Sequence, residues 1–240
     1  MESSFIFIGL ILLLLNNSLK KIGQTFMKKI FFSCIALCFL LSTNIHAQNN
    51  NGWISLFDGK SLNGWQVGKN AETFHADSGM IIVHGNTAHL FYTGDVHNHD
   101  FKNFEFKAEV KTMPHANSGI YFHTRYQEGG WPDYGYEVQV NNTHSDDVRT
   151  GSLYDVVDVK ERYVNDYVWF TEYIKVEGKR VIVKINDTIV VDYTEPEHPL
   201  RDTTSHAYRY ISHGTFALQG HDPGSIVYFK NIMVRPLPDE

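Results

Sequence analysis

YIKVEGKRVIVKINDTIVVDY, residues 173–193, decides the fold class. It holds three runs rich in Val and Ile, broken at Glu177-Gly178-Lys179 and at Asn186-Asp187. Those breaks are too short for anything but tight reversals, and β-branched residues favour the pleated strand over the helix. The stretch therefore predicts a three-stranded antiparallel meander. The same grammar recurs outward along the chain. FEFKAEV (104–110) sets Phe104, Phe106, Ala108 and Val110 against Glu105, Lys107 and Glu109. SGIYFHTRY (118–126), GYEVQV (135–140), GTFALQG (214–220) and SIVYFKNIMV (225–234) read as further strands, and Asp58-Gly59 and Asn63-Gly64 as turns. No window carries a sustained helical period with caps. An all-β protein follows: two antiparallel sheets packed as a β-sandwich. The longest region without alternation is 141–165, and a loop of that length in a compact sandwich marks function more often than not.

The N-terminal part reads differently. From Met27, two lysines precede an apolar run, Ile30 to Leu41, and a small residue stands at Ala47. This is the pattern of a secretory signal peptide over 27–47, and the run is shorter than the roughly 20 residues that span a bilayer. Residues 1–26 carry a second apolar run, as expected if translation starts at Met27; 1–47 is then a leader. The product is expected to be exported, periplasmic or extracellular, without a stable membrane anchor after cleavage. Both cysteines, Cys34 and Cys38, fall in the leader, which excludes disulfide and thiol chemistry from the remainder. The chain has 21 Lys and Arg against 27 Asp and Glu; four of the former and one of the latter lie in 1–47, leaving a net charge of −9 with His neutral. An acidic domain is a poor partner for nucleic acid. The remaining length suits one domain over 52–238 with one core.

Phasing the strands by their apolar faces leaves an unusual set of polar groups on the other side. These are Tyr121, His123 and Arg125 on 118–126, Glu137 and Gln139 on 135–140, and Gln219 with His221 just beyond on 214–221. A merely solvated face is rich in Lys, Glu, Thr and Ser, as on 104–110. Short, directional groups beside an aromatic suit the paired hydrogen bonding that desolvated sugar hydroxyls require.

The motifs WISLFDGKSLNGW (53–65), NSGIYFHTRY (117–126), GYEVQVNNTH (135–144), TGSLY (150–154) and FALQGHDPGSIVYFKNIMVRPL (216–237) occur in this order. Together they resemble the bacterial 3-keto-disaccharide hydrolase family, formerly a domain of unknown function. The resemblance implies a concanavalin-like jelly roll that cleaves glycosides already oxidised at sugar carbon 3, by hydrolysis or by elimination to a 2-hydroxyglycal. A ketone at C3 acidifies the hydrogen on C2. One base, donors for the enolate oxygen and an acid for the leaving group then suffice. Ordinary glycosidases flank the bond with two carboxylates. Here the strand offers Glu137 alone, with amides at Gln139 and Asn142.

The expected catalytic set is Glu137 or His221 as base, Glu137 first, with His123 and Arg125 on the C3 oxygen. Asn117, Gln139 and Gln219 are expected to bind hydroxyls beside Tyr121. Tyr154 lines the pocket from the long loop, and Trp131, in Glu128-Gly129-Gly130-Trp131-Pro132, stacks on a sugar. Trp53 and Trp65 are read as core. Asp222-Pro223-Gly224 reads as a turn, which leaves His221 open to a capping role. His84, His89, His97, His99, His115 and His144 invite a metal, and His97-x-His99 would place two rings on one strand face; no Glu-x-x-His or Cys pattern accompanies them. No cofactor is indicated, although a jelly roll has room for a structural Ca²⁺ held by carbonyls. Two other readings stay open: a non-catalytic carbohydrate-binding module on the same fold, and a conventional glycosidase. The oligomeric state is not legible.

Overall fold

The computed structural model describes residues 51–199 and 208–239. The expected leader at 1–47, its signal segment at 27–47 and both cysteines lie outside those residues. Thirteen strands follow one another: β1 Ile54–Ser55, β2 Trp65–Val67, β3 Phe74–Asp77, β4 Met80–His84, β5 Ala88–Tyr92, β6 Phe104–Thr112 and β7 Ser118–Thr124. After them come β8 Tyr136–Val140, β9 Phe170–Glu177, β10 Arg180–Ile185, β11 Thr188–Thr194, β12 Thr215–Gly220 and β13 Ile226–Pro236. The meander of 173–193 becomes β9–β10–β11, with Gly178 and Asn186 in left-handed conformation at its two turns. Apart from two short 3₁₀ turns, Ala71–Thr73 and Val96–His99, the described residues hold no helix.

Every pairing between these strands is antiparallel. One sheet has the order β11-β10-β9-β6-β13-β4-β3, with β1 added to the end of β13; the other has the order β2-β5-β12-β7-β8. The expected two-sheet sandwich is what forms. Its core is the interlocking of the alternate residues already noted. Phe104, Phe106, Ala108 and Val110 of β6, with Ile174 and Val176 of β9, meet Ile120 and Phe122 of β7, Val138 and Val140 of β8, and Phe216 and Leu218 of β12. The Phe216 ring lies 4.8 Å from Phe101, 4.8 Å from Phe104 and 4.7 Å from Phe106. Each such side chain contributes roughly 1.5–3 kcal/mol by leaving water.

The outer face of the larger sheet is the ordinary solvated surface expected for 104–110. Lys230 pairs with Glu109 at 3.0 Å, and the Lys107 ammonium lies 4.2 Å over the Trp53 ring. Trp53 is thus on this outer face, contrary to its reading as core, whereas Trp65 is buried as expected.

Strand β7 departs from its alternation. Ala217 of β12 faces Tyr121, but Thr215, two residues away, faces Thr124, three residues away. One extra residue is therefore accommodated on β7, and His123 takes it up with φ of 56°. The bulge turns the His123 ring inward against Phe104 and Phe122, at 5.6 and 5.2 Å.

Candidate active site

The five-stranded sheet turns its other face to a hollow, and cross-strand register decides what meets there. In one row His89 of β5 faces Gln219 of β12, while Gly119 of β7 faces Gln139 of β8. In the row two residues along, Phe91 faces Ala217, which faces Tyr121, which faces Glu137. Gly119 and Ala217 put little side chain of their own at the centre. A Cβ on Gly119 would lie 2.3 Å from Glu137 Oε1, so the carboxylate occupies the space that glycine vacates.

Glu137 is buried, and both of its oxygens are held. The Tyr121 hydroxyl donates to Oε2 at 2.7 Å, and the Gln219 amide donates to Oε1 at 2.8 Å. Burial raises its pKa, against the lowering effects of the Tyr121 bond, the Arg209 charge and the Gln219 bond. Beside it the Gln139 amide donates to Asn117 Oδ1 at 2.5 Å. Gln219 Oε1 is buried without a partner, as is Nε2 of His89. Burial, and then the nearness of His221, depress the His89 pKa to about 3, so this imidazole is neutral at physiological pH.

The long loop supplies one wall. Residues 150–154 run back along β8: Gly151 N donates to Gln139 O at 2.8 Å, Gln139 N to Ser152 O at 3.0 Å and Tyr154 N to Glu137 O at 3.0 Å. This covers the sheet edge and delivers Tyr154 to the hollow. Arg209, buried, donates to Tyr154 O at 2.9 Å, with its guanidinium 5.5 Å from the Tyr154 ring centre. The opposite wall follows β12. His221 Nδ1 lies 2.9 Å from Asp222 Oδ2, and its ring stands between Trp131 at 5.4 Å and His144 at 5.6 Å. The cavity has a volume of about 210 Å³, and Asp146 and Pro132 complete its rim.

Eight of the ten residues singled out from sequence line this one cavity: Asn117, Tyr121, Trp131, Glu137, Gln139, Tyr154, Gln219 and His221. The other two do not. His123 is turned inward by the bulge, where its Nε2 meets Lys102 O at 2.9 Å and its Nδ1 accepts from Ser212 N at 3.1 Å. Arg125 lies past the end of β7 with its guanidinium 3.5 Å over the Tyr134 ring, lining a separate hollow with Tyr92 and Tyr126. Neither reaches the place expected for the C3 oxygen. Among the described residues, the cation that lines the cavity is Arg209, from a segment without alternation or motif. Asp146, a second carboxylate at the rim, and His89 beneath Trp131 were also missed as site residues. His89 was legible in principle, because it shares the outward phase of Phe91 on β5.

Of the histidines that invited a metal, His97 and His99 lie on a 3₁₀ turn and not on a strand, and each ring meets a backbone carbonyl. Among the described residues, His144, His221 and Asp222 bring ligand atoms within 4.8 Å of one another. Their present bonding is that of an acid–base chain. Both oxygens of Asp222 are engaged, by His221, Ser225 and the Gly224 amide, and His144 Nδ1 accepts from Asp146 N at 3.1 Å.

Comparison with known proteins finds relatives both in sequence and in fold. Residues 52–235 match the family model described as 3-keto-alpha-glucoside-1,2-lyase-like domain. A 3-keto-disaccharide hydrolase of Bacteroides thetaiotaomicron is 26% identical over 78% of this chain and 79% of its own. Among solved structures, a Parabacteroides distasonis protein provisionally named a glycosyl hydrolase superposes with a TM-score of 0.68 at 21% identity, covering 81% of this chain and 99% of the other. The exoplasmic domain of VIP36, in a form bound to Ca²⁺ and Man3GlcNAc, superposes with a TM-score of 0.51 at 9% identity, covering 80% and 91%. These likenesses in fold accord with the jelly-roll expectation.

Proposed function

The chain belongs to the 3-keto-alpha-glucoside-1,2-lyase-like family, and from that premise we propose that it cleaves glycosides oxidised at C3, with Glu137 removing the C2 proton. The observation that carries this reading is the floor of the cavity. It has a single carboxylate, raised in basicity by burial and aimed by Tyr121 and Gln219, surrounded by amides and one guanidinium. The ketone makes the C2 proton removable by a carboxylate, and the electron pair left behind becomes an enolate at C3. Arg209, in place of Arg125 and His123, supplies the charge for that oxygen. The C3 ketone then re-forms, the double bond moves to C1–C2, and the C1–O bond breaks, the departing oxygen taking a proton from solvent. Asn117, Gln139 and Gln219 hold the remaining hydroxyls, and Trp131 covers the mouth with an aromatic face. Export on a cleaved segment at 27–47 and a single sugar-acting domain over 52–238 belong to the same proposal.

Glu137→Gln preserves shape and removes the base. The expected result on a 3-keto-glucoside is a loss of turnover of about 100- to 10,000-fold, the range for a general base, with an unchanged circular dichroism spectrum. Near-normal turnover in this variant removes Glu137 from the role. Asp146 at the rim favours one other reading, a two-carboxylate glycosidase. Cleavage of the unoxidised glycoside at a comparable rate would establish it, and tight binding with no turnover of either substrate would make the domain a binding module.

A further inference from the structure

The outward face of the five-stranded sheet does not end at the first cavity. Along β12 the phase of Gln219 and Ala217 continues to Thr215, four residues and about 13 Å from Gln219. Thr215 faces Thr124 on β7, because the bulge that turns His123 inward brings Thr124 round in its place. Both threonines, with Thr93 just beyond β5, line a second hollow of about 470 Å³. The Thr215 hydroxyl donates to Tyr92 O at 2.6 Å. Thr124 is 1% exposed, and its hydroxyl has no partner among the described residues. A buried hydroxyl left unpaired is costly, and a ligand that pairs it removes the cost. Around it stand groups of both hydrogen-bonding senses. Asp100 Oδ1 lies 2.7 Å from His213 Nδ1, with both side chains more than half exposed. The Arg125 guanidinium rests 3.5 Å over the Tyr134 ring, which stacks on Tyr208 at 4.7 Å, and its N–H groups have no acceptor among the described residues. An anionic ligand has no use for Asp100, nor a cationic one for Arg125. A neutral polyhydroxylated ring uses both, accepting from the guanidinium and donating to the carboxylate. Two exposed rings lead from one hollow to the other. Trp131 lies against His89 and Tyr126 against Phe91, at 5.6 and 5.7 Å. His89 and Phe91 are alternate residues of β5, roughly 7 Å apart. The rings thus follow the strand from the mouth of the first cavity to the rim of the second, as faces on which sugar rings can stack.

We propose that the second hollow is a distal subsite for a neutral saccharide. The substrate of this chain is then an oligosaccharide: its oxidised unit lies over Glu137, and its unoxidised units run past Trp131 and Tyr126 to Thr124, Arg125 and Asp100. That choice of substrate, though not the existence of the second site, rests on Glu137 serving at C2 as proposed above. Arg125 binds a hydroxyl far from the reacting carbon. Contacts made there are the same in the ground state and the transition state, so they act on KM and not on kcat.

The test compares an aryl 3-keto-glucoside with cellotetraose and maltotetraose oxidised at C3 of the non-reducing unit, and measures binding of the unoxidised tetraoses by calorimetry. Wild type is expected to show a KM at least tenfold lower on one of the tetraoses than on the aryl glucoside, at similar kcat. Arg125→Ala and Asp100→Ala should each raise that KM about tenfold, the value of one lost hydrogen bond to a charged group, and leave the aryl glucoside kinetics unchanged. Thr124→Val should weaken tetraose binding by a smaller factor with an unchanged thermal midpoint; a hydroxyl with a purely structural role predicts the reverse. The unoxidised tetraose should lose affinity in the same three variants. An equal KM for the aryl glucoside and both tetraoses overturns the proposal, as does a tetraose KM that neither Arg125→Ala nor Asp100→Ala moves. Equal losses on the aryl glucoside overturn it as well, as does failure of both unoxidised tetraoses to bind wild type. If wild type turns over no 3-keto substrate but binds an unoxidised tetraose, and the variants lose that binding, the reading of Glu137 falls and the second site stands.

Discussion

Gly119 shows how one missing side chain creates a site. Its place between Tyr121 and Ser118 on β7 predicts an outward position, but only the register with β8 reveals that Glu137 fills the space. Gly119→Ala should force the carboxylate off Tyr121 and Gln219. The expected outcome is a fall in kcat of roughly tenfold or more, since a misplacement of about 1 Å can cost 100-fold. The stability loss should stay within the 1–3 kcal/mol typical of overpacking. Steady-state kinetics and urea unfolding separate the two effects; unchanged kcat would mean that the position of Glu137 does not matter. Residue phase alone was enough to find Tyr121, Glu137, Gln139 and Gln219, because each sits on an uninterrupted alternation. Arg209 had no such signal. It follows 200–207, carries no period and reaches Tyr154 across 55 positions of sequence.

Elements fail to be legible where backbone geometry overrides pattern. Strict alternation on 118–126 predicts that Tyr121, His123 and Arg125 share a face. The bulge on β7 cancels that prediction at its second member, and nothing in HTRY announces a left-handed histidine. The segment 150–154 is the opposite case: it has no strand pattern, yet it pairs with β8 and sets Tyr154. Gly151 makes that possible, with φ of 89° and Val190 and Ile185 packed against it; an added Cβ would lie 2.6 Å from Val190 Cγ2. Gly151→Ala should therefore loosen the pairing. The expected signature is a rise in KM of about tenfold with a smaller effect on kcat, since the role proposed for Tyr154 is in binding and not in the reaction. Faster hydrogen exchange at the Tyr154 amide would accompany it. A kcat effect with unchanged KM would contradict the role given to this wall.

At the scale of the whole molecule, the sandwich carries a carboxylate that neither its packing nor its chemistry accounts for. Glu172 lies on β9 between Phe170 and Ile174, fully buried, with neither carboxylate oxygen hydrogen-bonded. Burial, and then the charge of Glu137, push its pKa well above the usual carboxylate range. A group whose folded pKa is raised stabilises the fold below its unfolded value and loses that contribution as pH climbs towards the folded one. Between those values the unfolded chain has released a proton that the folded chain retains. Glu172→Gln keeps the volume and abolishes the titration. Relative to wild type it should be about neutral in stability below pH ~4, where both chains are uncharged at this position. Above that its advantage should grow by about 1.4 kcal/mol per pH unit until the folded-state pKa is passed, and then level off. Urea unfolding of both proteins from pH 4 to pH 9 measures that difference. A difference that stays flat across the range would show that Glu172 is already ionised in the folded protein and has found a partner inside the core, and would require a different account of how the two sheets close over it.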